Sequence, residues 1–168
     1  MANPRITGQE FQRFAPEAQA ALLALGKAIA NSGLEEDLVQ LVKVRASQIN
    51  GCAFCTQLHL NESRHLGIAA HKLDLLVAWR EAGVHSEREK AALQWTELLT
   101  ALSQHHISDE DYAAVSAHFA PQELAWLSSA IVLINSWNRI AAPFQYAPPI
   151  PRHAIQSVDK EVSEPAHA

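Results

Sequence analysis

Apolar positions along this chain recur every three to four residues, as in Leu73, Leu76 and Val77, and no stretch alternates well enough to be read as a strand. No proline occurs between Pro16 and Pro121, and the interval is rich in Ala, Leu, Glu, Lys and Gln, which favour helix. Gly33, Gly67 and Gly83 fall where helices would stop. The pattern predicts about seven helices: 16–30, 35–49, 51–66, 70–82, 86–102, one opening at 108 and one over 121–142. Ser86 with Glu89 and Ser108 with Asp111 have capping-box spacing, and Pro121 suits a first helical turn. The expected architecture is one all-α domain over 1–146. A proline-containing tail, 147–168, cannot be helical at its start and is expected to be extended or loose.

Composition narrows the class. At 168 residues the chain is long enough for a real core, and with 48% hydrophobic and 18% charged residues it should fold. A net charge of −5 and the lack of a basic block argue against nucleic acid and anionic lipid as partners. The most apolar stretch, 124–142, is broken by Ser128, Ser129, Asn135, Ser136, Asn138 and Arg139, so it reads as a buried helix, not a membrane span. Residues 1–10 have no signal-like apolar run, which makes the cytoplasm the expected location.

The informative segment is 47–59. Cys52, Cys55 and His59 are spaced by three and then four residues, which stacks them on one face of a helix. With Asn50 as the cap, Cys52 lies in the first turn, where exposed amides favour a thiolate. The thiolate is the form that attacks a peroxide or disulfide. An imidazole can move the proton, and a second cysteine can resolve a sulfenic acid before further oxidation. Chance spacing accounts for some Cys-x-x-Cys pairs. Zinc held by Cys52, Cys55, His59 and His65 is a further alternative, although structural zinc sites usually draw on two separated ligand pairs. The remaining histidines, including His105, His106 and His118, read as surface or capping groups. Trp79, Trp95, Trp126 and Trp137 read as core or subunit contacts.

At these residues the chain resembles the carboxymuconolactone decarboxylase superfamily, in its alkylhydroperoxidase D-like branch. The resemblance is carried by Leu41 to Cys52 with Cys55 and His59, by Ala78-Trp79-Arg80-Glu81, by Ser86 to Leu93, and by Ile134 to Arg139. It implies homotrimers or homohexamers of an all-helical subunit and thiol-dependent reduction of hydroperoxides. It further implies that Cys55 attacks the peroxide, Cys52 resolves it and His59 relays protons. No bound cofactor or metal is implied. An external dithiol, a lipoyl group in well-known members, would reduce the disulfide, and some members pass electrons to a peroxiredoxin. One departure stands out. Peroxidase members place a relay Glu twelve positions before the first cysteine, and here that position is Gln40, which can hydrogen-bond but cannot accept a proton at neutral pH.

Three functions follow as alternatives. The first is a hydroperoxide-reducing enzyme, weakened by Gln40. The second is a redox-responsive binding or regulatory protein switched by a Cys52–Cys55 disulfide. The third is a lactone decarboxylase, against which the cysteine pair argues.

Overall fold

The computed structural model describes residues 4–104 and 106–151, and within them nine α-helices and no strand. They are α1 (Gly8–Phe14), α2 (Pro16–Ala30), α3 (Glu36–Ile49), α4 (Ala53–His65), α5 (Ala70–Asp74), α6 (Trp79–Ala82), α7 (Glu87–Thr100), α8 (Asp109–Ser116) and α9 (Pro121–Phe144). None is long and apolar enough to cross a membrane.

Helix α3 is the axis of the domain. Leu38, Val39, Gln40, Leu41, Val42, Val44, Ala46 and Ser47 are all buried on it, so it is covered on nearly every side. Leu38 and Val42 pack with Trp95 of α7, Val115 of α8 and Leu127 and Ile131 of α9. Leu41 and Val44 face Leu73, Leu76, Trp79 and Leu93. Val39 meets Ile29 of α2 and Ala130 and Leu133 of α9. Removing a buried Leu of this kind costs about 2–5 kcal/mol.

The capping signals read from sequence form as expected. Ser86 and Ser108 each accept a backbone N–H from the third helical residue, and Glu89 and Asp111 reach back to the cap N–H. Pro16 and Pro121 open their helices. Three expectations are corrected. The segment 70–82 is not one helix: α5 is followed by a 3₁₀ turn, Leu76–Ala78, and then by the four residues of α6. Leu73, Leu76 and Trp79 all reach the core across this break, and Val77 is left exposed. The added helix α1 forms because Thr7 and Glu10 make a capping box. Finally, the helix expected to begin at Gly51 begins at Ala53, with Asn50 closing α3.

An ionic cluster ties the divided segment to α3 and α7. Glu97 accepts Arg45 at 2.6 and 2.8 Å, the Trp79 indole N–H at 2.8 Å and Arg80 at 2.6 Å. Lys72 reaches Glu89 at 2.7 Å. The start of the proline-containing tail is non-helical, and Asn61 of α4 donates to the Pro149 carbonyl at 2.9 Å, laying 147–151 along α4. The rest of the predicted tail, 152–168, and His105 lie outside the described residues.

The turn between α3 and α4 places the cysteines. Gly51 has φ +63°, the Gly51 N–H donates to the Gln48 carbonyl at 3.2 Å, and the Cys52 N–H donates to the Ser47 carbonyl at 3.0 Å. A side chain at this left-handed position is strained even though the space around it is open. Gly51→Ala is therefore expected to destabilise the fold by about 1–2 kcal/mol, the cost of a left-handed non-glycine residue. Thermal denaturation should show a midpoint lower by about 2–8 °C, and an unchanged midpoint would mean the turn relaxes without cost.

Candidate active site

Cys52 is itself the N-cap of α4. Its backbone is extended, with φ −84° and ψ 95°, and its Sγ accepts the Cys55 N–H at 3.3 Å. The expectation that Asn50 caps this helix is thus overturned, and the reason is tertiary. The Asn50 side chain is drawn to α9, where its amide donates to Asn135 Oδ1 and Asn138 Oδ1, both at 2.9 Å. Sulfur takes over the cap, so Cys52 sits on the helix amides from outside the first turn.

The two Sγ atoms are 2.7 Å apart, and both cysteines are free and buried. The S–H of Cys55 donating to Cys52 holds the Cys52 thiol down to about 7, opposed by burial and assisted by the Cys55 N–H and Asn138. The same hydrogen bond, together with burial and the adjacent charge, pushes Cys55 up. The resting dithiol therefore gives up one proton readily, and the charge settles on the capping sulfur, where the backbone amides are. Asn138 is 1% exposed. Its amide donates to Ser47 Oγ at 3.1 Å and also favours the charged sulfur.

His59 lies one turn beyond Cys55, and its Nδ1 is 3.0 Å from Gln40 Oε1. The position singled out as a relay site is therefore in direct contact with the imidazole. A carbonyl oxygen only accepts, so His59 donates through Nδ1–H and leaves Nε2 as its lone-pair nitrogen. Burial, reinforced by the nearby Lys43 charge, pulls the His59 pKa down to about 3. The ring is neutral at physiological pH, and Gln40 offers no charge to oppose that.

Cys55 and His59 both open on a cavity of about 790 Å³. Its walls are largely apolar, with Leu22, Leu58, Leu133, Ile134 and Trp137 among them. Trp137 is thus a cavity wall as well as a packing residue, while Trp79 and Trp95 are core. Lys43, one turn after Gln40, also lines the cavity, and burial lowers its pKa. Among the described residues, the buried Tyr146 hydroxyl and Gln19 Oε1, on the same walls, have no hydrogen-bond partner. Cys52 does not line this cavity. It lines a second one of about 360 Å³, and the two share the Phe54, Ala141 and Tyr146 side chains. The sequence spacing put the three groups on one helix face; in the structure the sulfurs adjoin and His59 shares the larger cavity with Cys55, but the two sulfurs face different spaces. It also left Lys43, Asn138 and Tyr146 unassigned. Of these, Asn138 had a signal, as one of the six polar residues that interrupt the apolar stretch 124–142.

Among the described residues, no three His, Cys, Asp or Glu side chains converge as a metal site, so the zinc alternative with His65 has no geometric support. The arrangement instead predicts a thiol titration. Thiolate absorbance near 240 nm should rise with a first midpoint near pH 7. In Cys55→Ala, with the S–H donor removed, the Cys52 midpoint should move up toward the ordinary thiol range. A midpoint that stays near 7 would assign the effect to the helix start alone.

Comparisons with known proteins identify the family. Residues 16–98 match the carboxymuconolactone decarboxylase family. Uncharacterized protein YdfG of Bacillus subtilis (strain 168) is 34% identical over 131 residues, 78% of this chain and 89% of its own. The crystal structure of ATU0492 from Agrobacterium tumefaciens, a protein of unknown function provisionally assigned to antioxidant defence as AhpD, superposes with TM-score 0.83. It is 38% identical and covers 89% of this chain and all of its own. An alkylhydroperoxidase AhpD core, a peroxidase-related protein from Ralstonia eutropha JMP134, shares the fold at TM-score 0.73 and 20% identity, over 83% of this chain and 74% of its own. The debrominase Bmp8, solved with 2,3,4-tribromopyrrole, also shares the fold, at TM-score 0.71 and 16% identity, over 89% of this chain and 79% of its own. The chain therefore belongs to the carboxymuconolactone decarboxylase family, in its alkylhydroperoxidase D-like branch.

Proposed function

We propose that this protein reduces organic hydroperoxides with the Cys52–Cys55 dithiol and is returned to the dithiol by an external dithiol, for which a lipoyl group is the fitting chemistry. One observation carries the reading: two buried sulfurs 2.7 Å apart, of which Cys55 opens with His59 onto a large apolar cavity. An apolar wall suits the alkyl part of a hydroperoxide, and the short sulfur separation suits disulfide closure.

In the first step Cys55 attacks the distal peroxide oxygen while its proton passes along the shared hydrogen bond to the Cys52 thiolate. The S–O bond forms, the O–O bond breaks and the alkoxide leaves as alcohol after taking up a proton. Cys52 then attacks the Cys55 sulfenic acid, and hydroxide leaves with the Cys52 proton as water. One hydroperoxide and two thiols yield one alcohol, one water and one disulfide. His59, neutral and held by Gln40, accepts protons through Nε2 but is a poor reservoir for them.

The neutral Gln40–His59 pair gives the second reading its support. A centre that oxidises readily but recycles protons poorly could serve as a redox switch that alters a partner surface. Steady-state hydroperoxide consumption with dihydrolipoamide separates the two. The enzyme reading expects many turnovers per dithiol, whereas a switch oxidises once and stops. A peroxiredoxin as electron acceptor and assembly as trimers or hexamers belong to the same proposal, tested by electron transfer to an added peroxiredoxin and by sedimentation.

Two substitutions test the roles. Gln40→Glu places a carboxylate against His59 Nδ1, which favours the imidazolium and should raise turnover by about three- to tenfold. Equal or lower turnover would count against a missing relay acid. Cys55→Ser should abolish hydroperoxide-driven oxidation, whereas retained peroxide reactivity would move the attack to Cys52.

A further inference from the structure

The two sulfurs of the centre face different cavities, and the chemistry of the walls differs. Cys55 lines the larger cavity with His59 and Lys43. Cys52 lines the smaller one, where its neighbours are Gly51, Ala53, Ala142, Ala147, Pro148 and Ile150. Phe54 and Tyr146, packed edge to face at 5.5 Å, form the partition with Ala141. Among the described residues, no charged side chain lines the smaller cavity. Its rim is open beside Cys52, because Gly51 and Ala53 are exposed and small. Segment 147–151 forms its outer wall and is held to α4 by Asn61.

We infer that the two half-reactions use separate entrances: hydroperoxide meets Cys55 through the larger cavity, and a slender, uncharged dithiol meets Cys52 through the smaller one. This rests on the proposed dithiol cycle and adds to it the site at which the reductant binds. In the reductive step a thiolate of the external dithiol attacks Cys52 Sγ of the disulfide. A mixed disulfide forms on Cys52, and Cys55 leaves as a thiolate into the larger cavity. Cys55 is then free of the neighbouring thiolate that raises it in the resting dithiol. The second thiol of the reductant, as thiolate, attacks its own partner sulfur. Cys52 leaves as the favoured, amide-supported thiolate, and the reductant departs as a cyclic disulfide. Two electrons pass from the reductant to the protein disulfide, and the two reductant protons end on the Cys55 thiol and in solvent. The uncharged wall favours dihydrolipoamide over glutathione, whose carboxylates would be desolvated there without a partner.

The experiment measures each half-reaction alone by stopped flow in wild type, Ala147→Trp and Leu23→Trp. Ala147 lines only the smaller cavity and Leu23 only the larger. The disulfide is installed with diamide, so that its reduction by dihydrolipoamide is read whether or not hydroperoxides oxidise the protein. Oxidation is read with cumene hydroperoxide. Ala147→Trp should lower the ratio of reduction rate to oxidation rate by about tenfold or more, and Leu23→Trp should raise it by a similar factor. A ratio unchanged in Ala147→Trp, or moved in the same direction by both variants, overturns the separate entrances. If wild type is not oxidised by hydroperoxide while the reduction rate still falls in Ala147→Trp, the reductant entrance stands and the hydroperoxide reading fails.

Discussion

A fully buried amide must find partners, and Asn138 finds its partners on the far side of a helix turn. Its Oδ1 accepts from Asn50 and its Nδ2 donates to Ser47 Oγ, which donates on to the Lys43 carbonyl at 2.7 Å. An unsatisfied buried group of this kind costs about 1–3 kcal/mol, so these bonds fix the end of α3 against the middle of α9. Asn135 extends the lock by accepting from Asn50 and donating to Thr100 Oγ1 of α7. The Gly51 turn then has one path to follow, and Cys52 arrives at the head of α4 with its sulfur beneath the helix amides.

From that placement the electrostatics follow. Two thiols so close and so buried cannot both ionise, because each would meet the other's charge in a medium that screens poorly. One proton is shed and one is shared: the Cys55 S–H holds the charge on Cys52, and the Cys55 N–H and Asn138 assist. The charge rests on Cys52, while the sulfur presented to the apolar cavity is Cys55. The difference between the two thiols is thus a consequence of their placement rather than of their own chemistry. The histidine is governed by a different balance. Burial and Lys43 keep it neutral, and a carboxamide at Gln40 orients the ring without supporting an imidazolium.

Much of this was legible in the chain. Helices were readable because Ser86, Ser108, Pro16 and Pro121 act through bonds to their own next few residues, and such local chemistry survives into the fold. The pairing of Cys55 with His59 was readable because i, i+4 neighbours share a helix face whatever surrounds them. Asn50 was misread because a capping asparagine and a bridging asparagine look alike in sequence. What distinguished them was Asn138, far along the chain. The break within 70–82 was hidden for a similar reason. Helix propensity there is adequate, and Leu73, Leu76 and Trp79 keep near-helical spacing across the break, so the pattern does not mark it.

The sequence by itself determined an all-helical chain, the capping boxes at Ser86 and Ser108 and a pair of thiols with an imidazole one turn away, because each depends on contacts within about one helical turn. The tertiary structure alone decided which sulfur caps α4, that Gln40 touches His59, and that Cys52 and Cys55 open on separate cavities. Those outcomes depend on where α9, the start of the chain and segment 147–151 come to rest against α3 and α4. Side chains such as Asn138, Phe54 and Tyr146 create the partition only when packing brings them there, and no spacing within the Cys-x-x-Cys segment encodes that arrival.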